Sequence, residues 1–162
     1  KLLFMGAEFG QSAEWNFESQ LEWYLLQFGY HQGIRKLITD LNALYKSQPA
    51  LYEKQFSPEG FEWINYSDHQ NAVISYMRKG DNAKQDLVVV CNFTPVVRED
   101  YRIGLPKKGK LTQLFNSDET HYGGSGVGNA KAVKIEAEPW NGRDFSAAIS
   151  LPPLGVVVFK MS

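Results

Sequence analysis

The sequence predicts a mainly β chain: an antiparallel β-sandwich preceded by one strand, one loop and one helix. Three observations predict it. A single stretch with helical periodicity lies in the first third of the chain. After Pro49 that period does not return. From residue 61 onward, short β-rich runs recur at roughly 8–12-residue spacing with turn signals between them, as in a sandwich or barrel.

The first element is Leu2-Leu3-Phe4-Met5, closed by Gly6. A continuous apolar run of this length suits a strand buried on both faces. It begins at once, without Met and without the polar leader usual at natural N-termini. The simplest account is a piece of a longer polypeptide. Residues 7–20 are mixed and aromatic and read as a long loop. Residues 21–26 read as a short helical turn. Ile34, Leu37, Ile38, Leu41, Leu44 and Tyr45 then follow the i, i+3, i+4, i+7 rule, which predicts a helix over 30–47. Pro49 ends it, because the residue before a proline is pushed out of the helical region.

The boundary falls near Gln48, giving segments 1–48 and 49–162. The first cannot fold alone, since one strand and one helix leave most of their faces without partners. Strands are expected at 61–66, 72–78, 87–93, 101–105, 110–115, 132–136, 147–151 and 156–160. The run at 87–93 is nearly all apolar and should be central.

Composition excludes several function classes. Seventeen Lys+Arg against 18 Asp+Glu leave a net charge of −1, which argues against a nucleic-acid partner. No apolar run approaches the roughly 20 residues needed to cross a bilayer, so no membrane partner is expected. One cysteine, Cys91, excludes an internal disulfide framework and fits a reducing, cytoplasmic compartment. Within an apolar strand it should be an inert core residue. Aromatics at 14% supply both core filling and the stacking surfaces that sugars prefer.

The glycine-rich stretch 123–129 lacks the strand before it, the helix after it and the Lys-Ser/Thr of a phosphate loop. It reads as a flexible surface loop. His31, His69 and His121 have no ligand spacing, and no metal or cofactor is expected. Ser125 lacks the form of a nucleophile elbow. Glu8, Glu14, Glu18 and Glu22 crowd one segment, but no pair is held opposed on rigid strand ends as glycoside chemistry requires. Glu8 alone stands out, directly after the predicted strand. Among the aromatics, Trp63 alternates with Phe61 along a strand and is assigned to core packing. Trp140, in the turn Pro139-Trp140-Asn141-Gly142, is the better surface candidate for a ligand.

Residues 1–11, KLLFMGAEFGQ, resemble the final barrel strand and following loop of bacterial glycogen branching enzymes of the α-amylase superfamily. The likeness continues through Glu14-Trp15-Asn16, Leu21-Glu22-Trp23-Tyr24-Leu25-Leu26 and Asp40-Leu41-Asn42-Ala43-Leu44-Tyr45. Past the boundary, Gly60-Phe61-Glu62-Trp63-Ile64, Val90-Cys91-Asn92-Phe93-Thr94-Pro95 and Leu151-Pro152-Pro153-Leu154-Gly155 are similar to the family's C-terminal domain. Ala7, Glu22 and Tyr24 depart from the family's more usual residues.

The resemblance implies that 1–48 is the C-terminal remnant of a catalytic (β/α)8 barrel, and 49–162 an all-β sandwich of the α-amylase C-terminal type. It implies a parent that cleaves an α-1,4-glucan and forms an α-1,6 branch by a retaining double displacement. The family's three catalytic carboxylates lie on earlier barrel strands, so none is carried over and this chain alone should be inactive. A barrel by itself needs about 250 residues. Substrate contact or cleft support is expected from Glu8 and Trp15 on the loop of the catalytic face, and, from its place in the turn, ligand contact from Trp140. The implied partners are an α-glucan, glycogen or amylose, and the N-terminal barrel of the same polypeptide. Separated from that barrel, the apolar segment from Lys1 to Gly6 should pair with a neighbouring edge, dock irregularly or self-associate. A carbohydrate-binding module and a purely structural accessory domain are the rival readings.

Overall fold

The computed structural model describes residues 2–162. Among them, the one long helix, α1 (Gly29–Ser47), precedes eight strands: β1 (Phe61–Asp68), β2 (Val73–Arg78), β3 (Leu87–Asn92), β4 (Arg98–Leu105), β5 (Gly109–Asn116), β6 (Ala132–Ile135), β7 (Phe145–Leu151) and β8 (Val156–Met161). Short 3-10 turns at Ala7–Phe9, Trp23–Gln27, Pro49–Leu51, Pro58–Gly60 and Thr120–Tyr122 punctuate the rest. The eight strands expected after residue 60 are all present, within a few residues at each end.

The strands form two antiparallel sheets. The larger runs β1-β2-β3-β8-β5-β6 and the smaller pairs β4 with β7. A bridge between Glu136 and Ser146 ties β6 to β7 and joins the sheets at one side.

The period of two sorts side chains cleanly. Val73 and Met77 of β2, Val88 and Val90 of β3, and Val157, Phe159 and Met161 of β8 face the smaller sheet. There they meet Ile103, Leu105, Ala147, Ile149 and Leu151. The alternate residues, Leu87, Val89, Cys91 and Val158, face the opposite way and are covered by Leu37, Leu41 and Leu44 of α1. This explains why β3 is buried along its whole length: both faces are occupied. Leu111 and Phe115, four apart in β5, would share a face in a regular strand. A register shift between Gln113 and Phe115 sends them to different clusters.

The helix therefore docks on the sandwich across the predicted boundary at Gln48. Gly33 makes this possible. A Cβ there would lie 2.3 Å from the Tyr122 carbonyl oxygen. The Tyr122 hydroxyl donates to Asp40 Oδ2 at 2.7 Å and ties the same surfaces further along the helix.

Two expectations are corrected. Residues 2–5 form no strand and are not buried, with Leu2 94% exposed and Leu3, Phe4 and Met5 more than half exposed. Within 2–162 no free strand edge reaches them, so the apolar run has nothing to pair with. Lys1 lies outside the described residues. The glycine-rich stretch 123–129 is not a loose loop. Asp118 accepts hydrogen bonds from Ser125 N (2.8 Å), Ser125 Oγ (2.5 Å) and Val127 N (3.1 Å), and Asn116 Nδ2 donates to Val127 O. Its glycines allow this close wrapping: a Cβ on Gly124 would meet Asp118 O at 2.3 Å.

Cys91 is buried in β3, facing the helix, and burial pushes its thiol up to about 11. At pH 8 roughly one such thiol in a thousand is ionised. Iodoacetamide is expected to leave the folded chain unmodified at that pH and to label Cys91 once urea is added. Rapid labelling without denaturant would contradict the placement.

Candidate functional site

Glu8 lies in the 3-10 turn Ala7–Phe9, entered and left through Gly6 and Gly10, both at positive φ. Its Oε2 accepts the Gly6 N–H at 2.9 Å, so the carboxylate is committed to shaping the turn. The turn is fixed to α1 by Phe9, which is buried, and by His31 Nδ1, 2.9 Å from Phe9 O. Trp15 is 40% exposed, edge-on to Phe4 at 5.7 Å and beside Phe17 at 6.4 Å.

This segment is held by a residue to which the sequence assigned no role. Glu22 Oε2 accepts from Ser12 N, Ser12 Oγ and Ala13 N, each at 2.9 Å, while Oε1 accepts from Tyr24 OH. The Ala13 N–H and the Ser12 hydroxyl hold its carboxyl below the usual carboxylate range. Glu22 and Tyr24, two of the three family departures, thus act as one latch across the base of the loop. The signal was visible only as an odd pair; its partner ten residues upstream was not.

Trp140 sits elsewhere, beyond β6. Asn141 and Gly142 both have positive φ, and Trp140 and Arg143 exchange main-chain hydrogen bonds of 2.9 and 3.0 Å. This is the Asn-Gly turn of a tight hairpin. The hairpin is clamped: Asn141 Oδ1 accepts the Gly104 N–H at 2.9 Å, and Arg143 Nη2 donates to Glu62 Oε1 at 2.5 Å and to Trp63 O. Burial raises the Glu62 carboxyl, but Lys79 and Arg143 outweigh it and hold it below its ordinary value. The Trp140 ring, 47% exposed, borders a cavity of about 520 Å³ at the β1–β4 side of the sandwich. None of the residues lining that cavity comes from segment 7–20. The structure therefore does not bring Trp140 together with Glu8 and Trp15.

Trp63 is not in the core. Ile64 takes the inward position of β1, so Trp63 points outward and is 46% exposed. The helix-side cluster reaches only as far as Ile74 and Tyr76 of β2, leaving the outer face of the edge strand β1 open. There Phe61 stacks on Tyr76 at 5.2 Å, and Trp63 meets Phe61, Tyr76 and Tyr66 at 4.8, 5.9 and 5.8 Å. Four aromatic rings thus form a continuous surface strip. The alternation along β1 was legible, but which face the helix would cover was not.

Among the described residues, no three His, Cys, Asp or Glu side chains gather as metal ligands, and no helix is long and apolar enough to cross a membrane. What the surface offers is aromatic faces flanked by hydrogen-bonding groups, suited to polyhydroxylated rings with one apolar face.

The family model described as alpha amylase, C-terminal all-beta domain, matches residues 63–162. The chain is 49% identical over 160 residues to the 1,4-alpha-glucan branching enzyme GlgB of Aquifex aeolicus (strain VF5), covering 99% of this chain and 25% of that protein. It is 50% identical over 161 residues to the enzyme of the same name from Marinobacter nauticus, covering 99% of this chain and 26% of that one. It therefore spans about a quarter of the length of these relatives. Among solved structures, an alpha-amylase from H. orenii aligns with a TM-score of 0.45 and 21% identity, covering 85% of this chain and 20% of that one.

Proposed function

The chain belongs to the alpha amylase C-terminal all-beta domain family, and from that premise we propose that the whole protein is an α-glucan branching enzyme whose C-terminal part is described here. The observation that carries this reading is the near-50% identity, over 99% of the chain, to enzymes that carry that name. The reaction is transfer of an α-1,4-glucan segment to form an α-1,6 branch, with the catalytic carboxylates on a barrel outside this chain. In this reading the chain divides into a barrel remnant, 1–48, and an all-β domain, 49–162. The exposed apolar residues Leu2–Met5 and the neighbouring flank of α1 at Ile38 and Tyr45 are the surface that the barrel covers. Without it, the exposed run Leu2–Met5 is a surface for self-association. The protein works in the cytoplasm.

In this reading Glu8 positions the loop at the catalytic face, and Trp15 and Trp140 contact glucan. The strip of Phe61, Trp63, Tyr66 and Tyr76, its rings set mostly edge-on to one another, adds a further aromatic surface against which glucose units lie. Four exposed or half-exposed rings at mutual distances of 4.8–5.9 Å favour a ligand-contacting domain over a purely structural one.

The test compares two proteins on amylose, read by the iodine absorbance of the product. The 162-residue chain is expected to leave amylose unchanged, and the protein extended through its upstream sequence to branch it. In the extended protein, Trp15→Ala is expected to lower kcat/KM by about tenfold, the size of one lost aromatic contact of about 1.4 kcal/mol. Branching by the short chain alone, or none by the extended one, overturns the proposal.

A further inference from the structure

The cavity beside Trp140 has a lining unlike the aromatic strip. Its volume, about 520 Å³, lies within the range of small-ligand sites. One wall is the Trp140 ring, carried on a hairpin whose backbone is clamped to Gly104 and to Glu62, so the ring is presented on a fixed mount. The other wall is β1 with the turn after it. There the Asp68 carboxylate accepts from Asn71 Nδ2 at 2.9 and 3.1 Å and from Tyr101 OH at 2.7 Å. Asn65 uses its Oδ1 to accept from Ser67 N and Ser67 Oγ, which leaves the Nδ2 group without a partner. The Asn141 amide is in the same condition, its Oδ1 taken by Gly104 N and its Nδ2 unengaged. Arg98 also lines the cavity, its Nη2 donating to Asn71 O and its Nε buried without a partner.

An aromatic face between oriented amide donors and a carboxylate is the chemistry that recognises a hexopyranose. The ring's apolar C–H face lies on the indole, and its hydroxyls pair with groups that bond in both senses. The charges select further. Asp68, Glu99 and Asp100 stand against Arg98 and Arg102, so there is no positive excess to hold a phosphate or another anion.

We propose that the cavity formed by Trp140, Asn141, Asn65 and Asp68 is a second carbohydrate site of this chain, taking a neutral glucose unit of an α-glucan. It is separate from the Trp63 strip. The proposal rests on the glucan reading above for the identity of the sugar, and on the cavity alone for the site.

The chain contains four tryptophans, so labelling with 5-fluorotryptophan gives four fluorine resonances, which single Trp→Phe variants assign. Titration with maltoheptaose is expected to move the Trp140 resonance saturably, and equally so in Trp63→Ala. Asn65→Asp keeps the acceptor that holds Ser67 and removes the free donor. It should weaken the Trp140 response at least fivefold with the fluorine spectrum otherwise unchanged. Movement of Trp63 with Trp140 still overturns this site and leaves the glucan reading standing. Silence of every indole overturns this site and the glucan contacts given to the other tryptophans, while the branching assay of the extended protein still decides the parent activity. An equal response to cellohexaose overturns the α-glucan assignment, and a response to inorganic phosphate overturns the neutral class. An unaltered response in Asn65→Asp overturns the role given to its amide.

Discussion

Gly33→Ala is expected to destabilise the chain by about 2 kcal/mol, although helix propensity alone assigns that substitution a gain of about 1 kcal/mol. Gly33 is the buried residue of α1, in the helix interior. Its missing Cβ is where the 3-10 turn Thr120–Tyr122 lies: a methyl would stand 2.3 Å from the Tyr122 carbonyl oxygen and 2.8 Å from its carbon. Both atoms are backbone and cannot rotate aside, so the helix must lift. Lifting stretches the Tyr122–Asp40 hydrogen bond of 2.7 Å, which spans the same seam. It also withdraws Leu37, Leu41 and Leu44 from Val89, Cys91 and Val158. Urea denaturation measures the loss, and hydrogen exchange places it: amides of α1 should exchange faster while those of β3 and β8 keep their protection. A variant as stable as the parent would mean that the helix does not approach the turn this closely.

Asp118→Ala is expected to cost about 3 kcal/mol, the largest effect of any polar substitution considered for this chain. Its carboxylate accepts three hydrogen bonds, from Ser125 N, Ser125 Oγ and Val127 N. Bonds to a charged group contribute about 1.5–3 kcal/mol, and truncation leaves donors with nothing to replace the lost acceptor. The main chain of Asp118 participates too, accepting the Gly126 N–H at 2.8 Å, and that contact survives truncation. Thermal unfolding should therefore shift downward while the sandwich core still forms. Trypsin should gain access at Lys131, just past the released strap. Asp118→Asn, which keeps one acceptor oxygen, should fall between the two. Unchanged protease resistance in Asp118→Ala would show that the strap is held by other contacts.

The strands were legible because their alternation is local: Val73, Met77 and Ile74, Tyr76 can be sorted by counting in twos. The helix was legible for the same reason, from Ile34 to Tyr45. The pairing was not. Nothing near Val156–Met161 in the sequence says that this strand lies between β3 and β5. That choice decides which faces become core. It is also why Trp63 was misplaced: its alternation with Phe61 is correct, but the helix covers β2 and stops short of β1. The strap at 123–129 was read from its glycines as loose, because the acceptor that orders it, Asp118, lies in the preceding turn. Of the candidate site residues, Trp140 could be recognised from its Asn-Gly turn. Asn65 and Asp68 could not, since a cavity made by separate elements leaves no spacing to read.

The position of β8 also bears on how a ribosome delivers this protein. The three-stranded meander β1–β3 and the hairpin β5–β6, on either side of it, emerge from the exit tunnel first, at about 5–20 residues per second. Each then has an unsatisfied edge where β8 will later insert. Until Val156–Met161 appears, the nascent polypeptide should expose the edges of β3 and β5, as an unpaired strand edge invites association. A premature stop codon before Val156 leaves it in that condition for good.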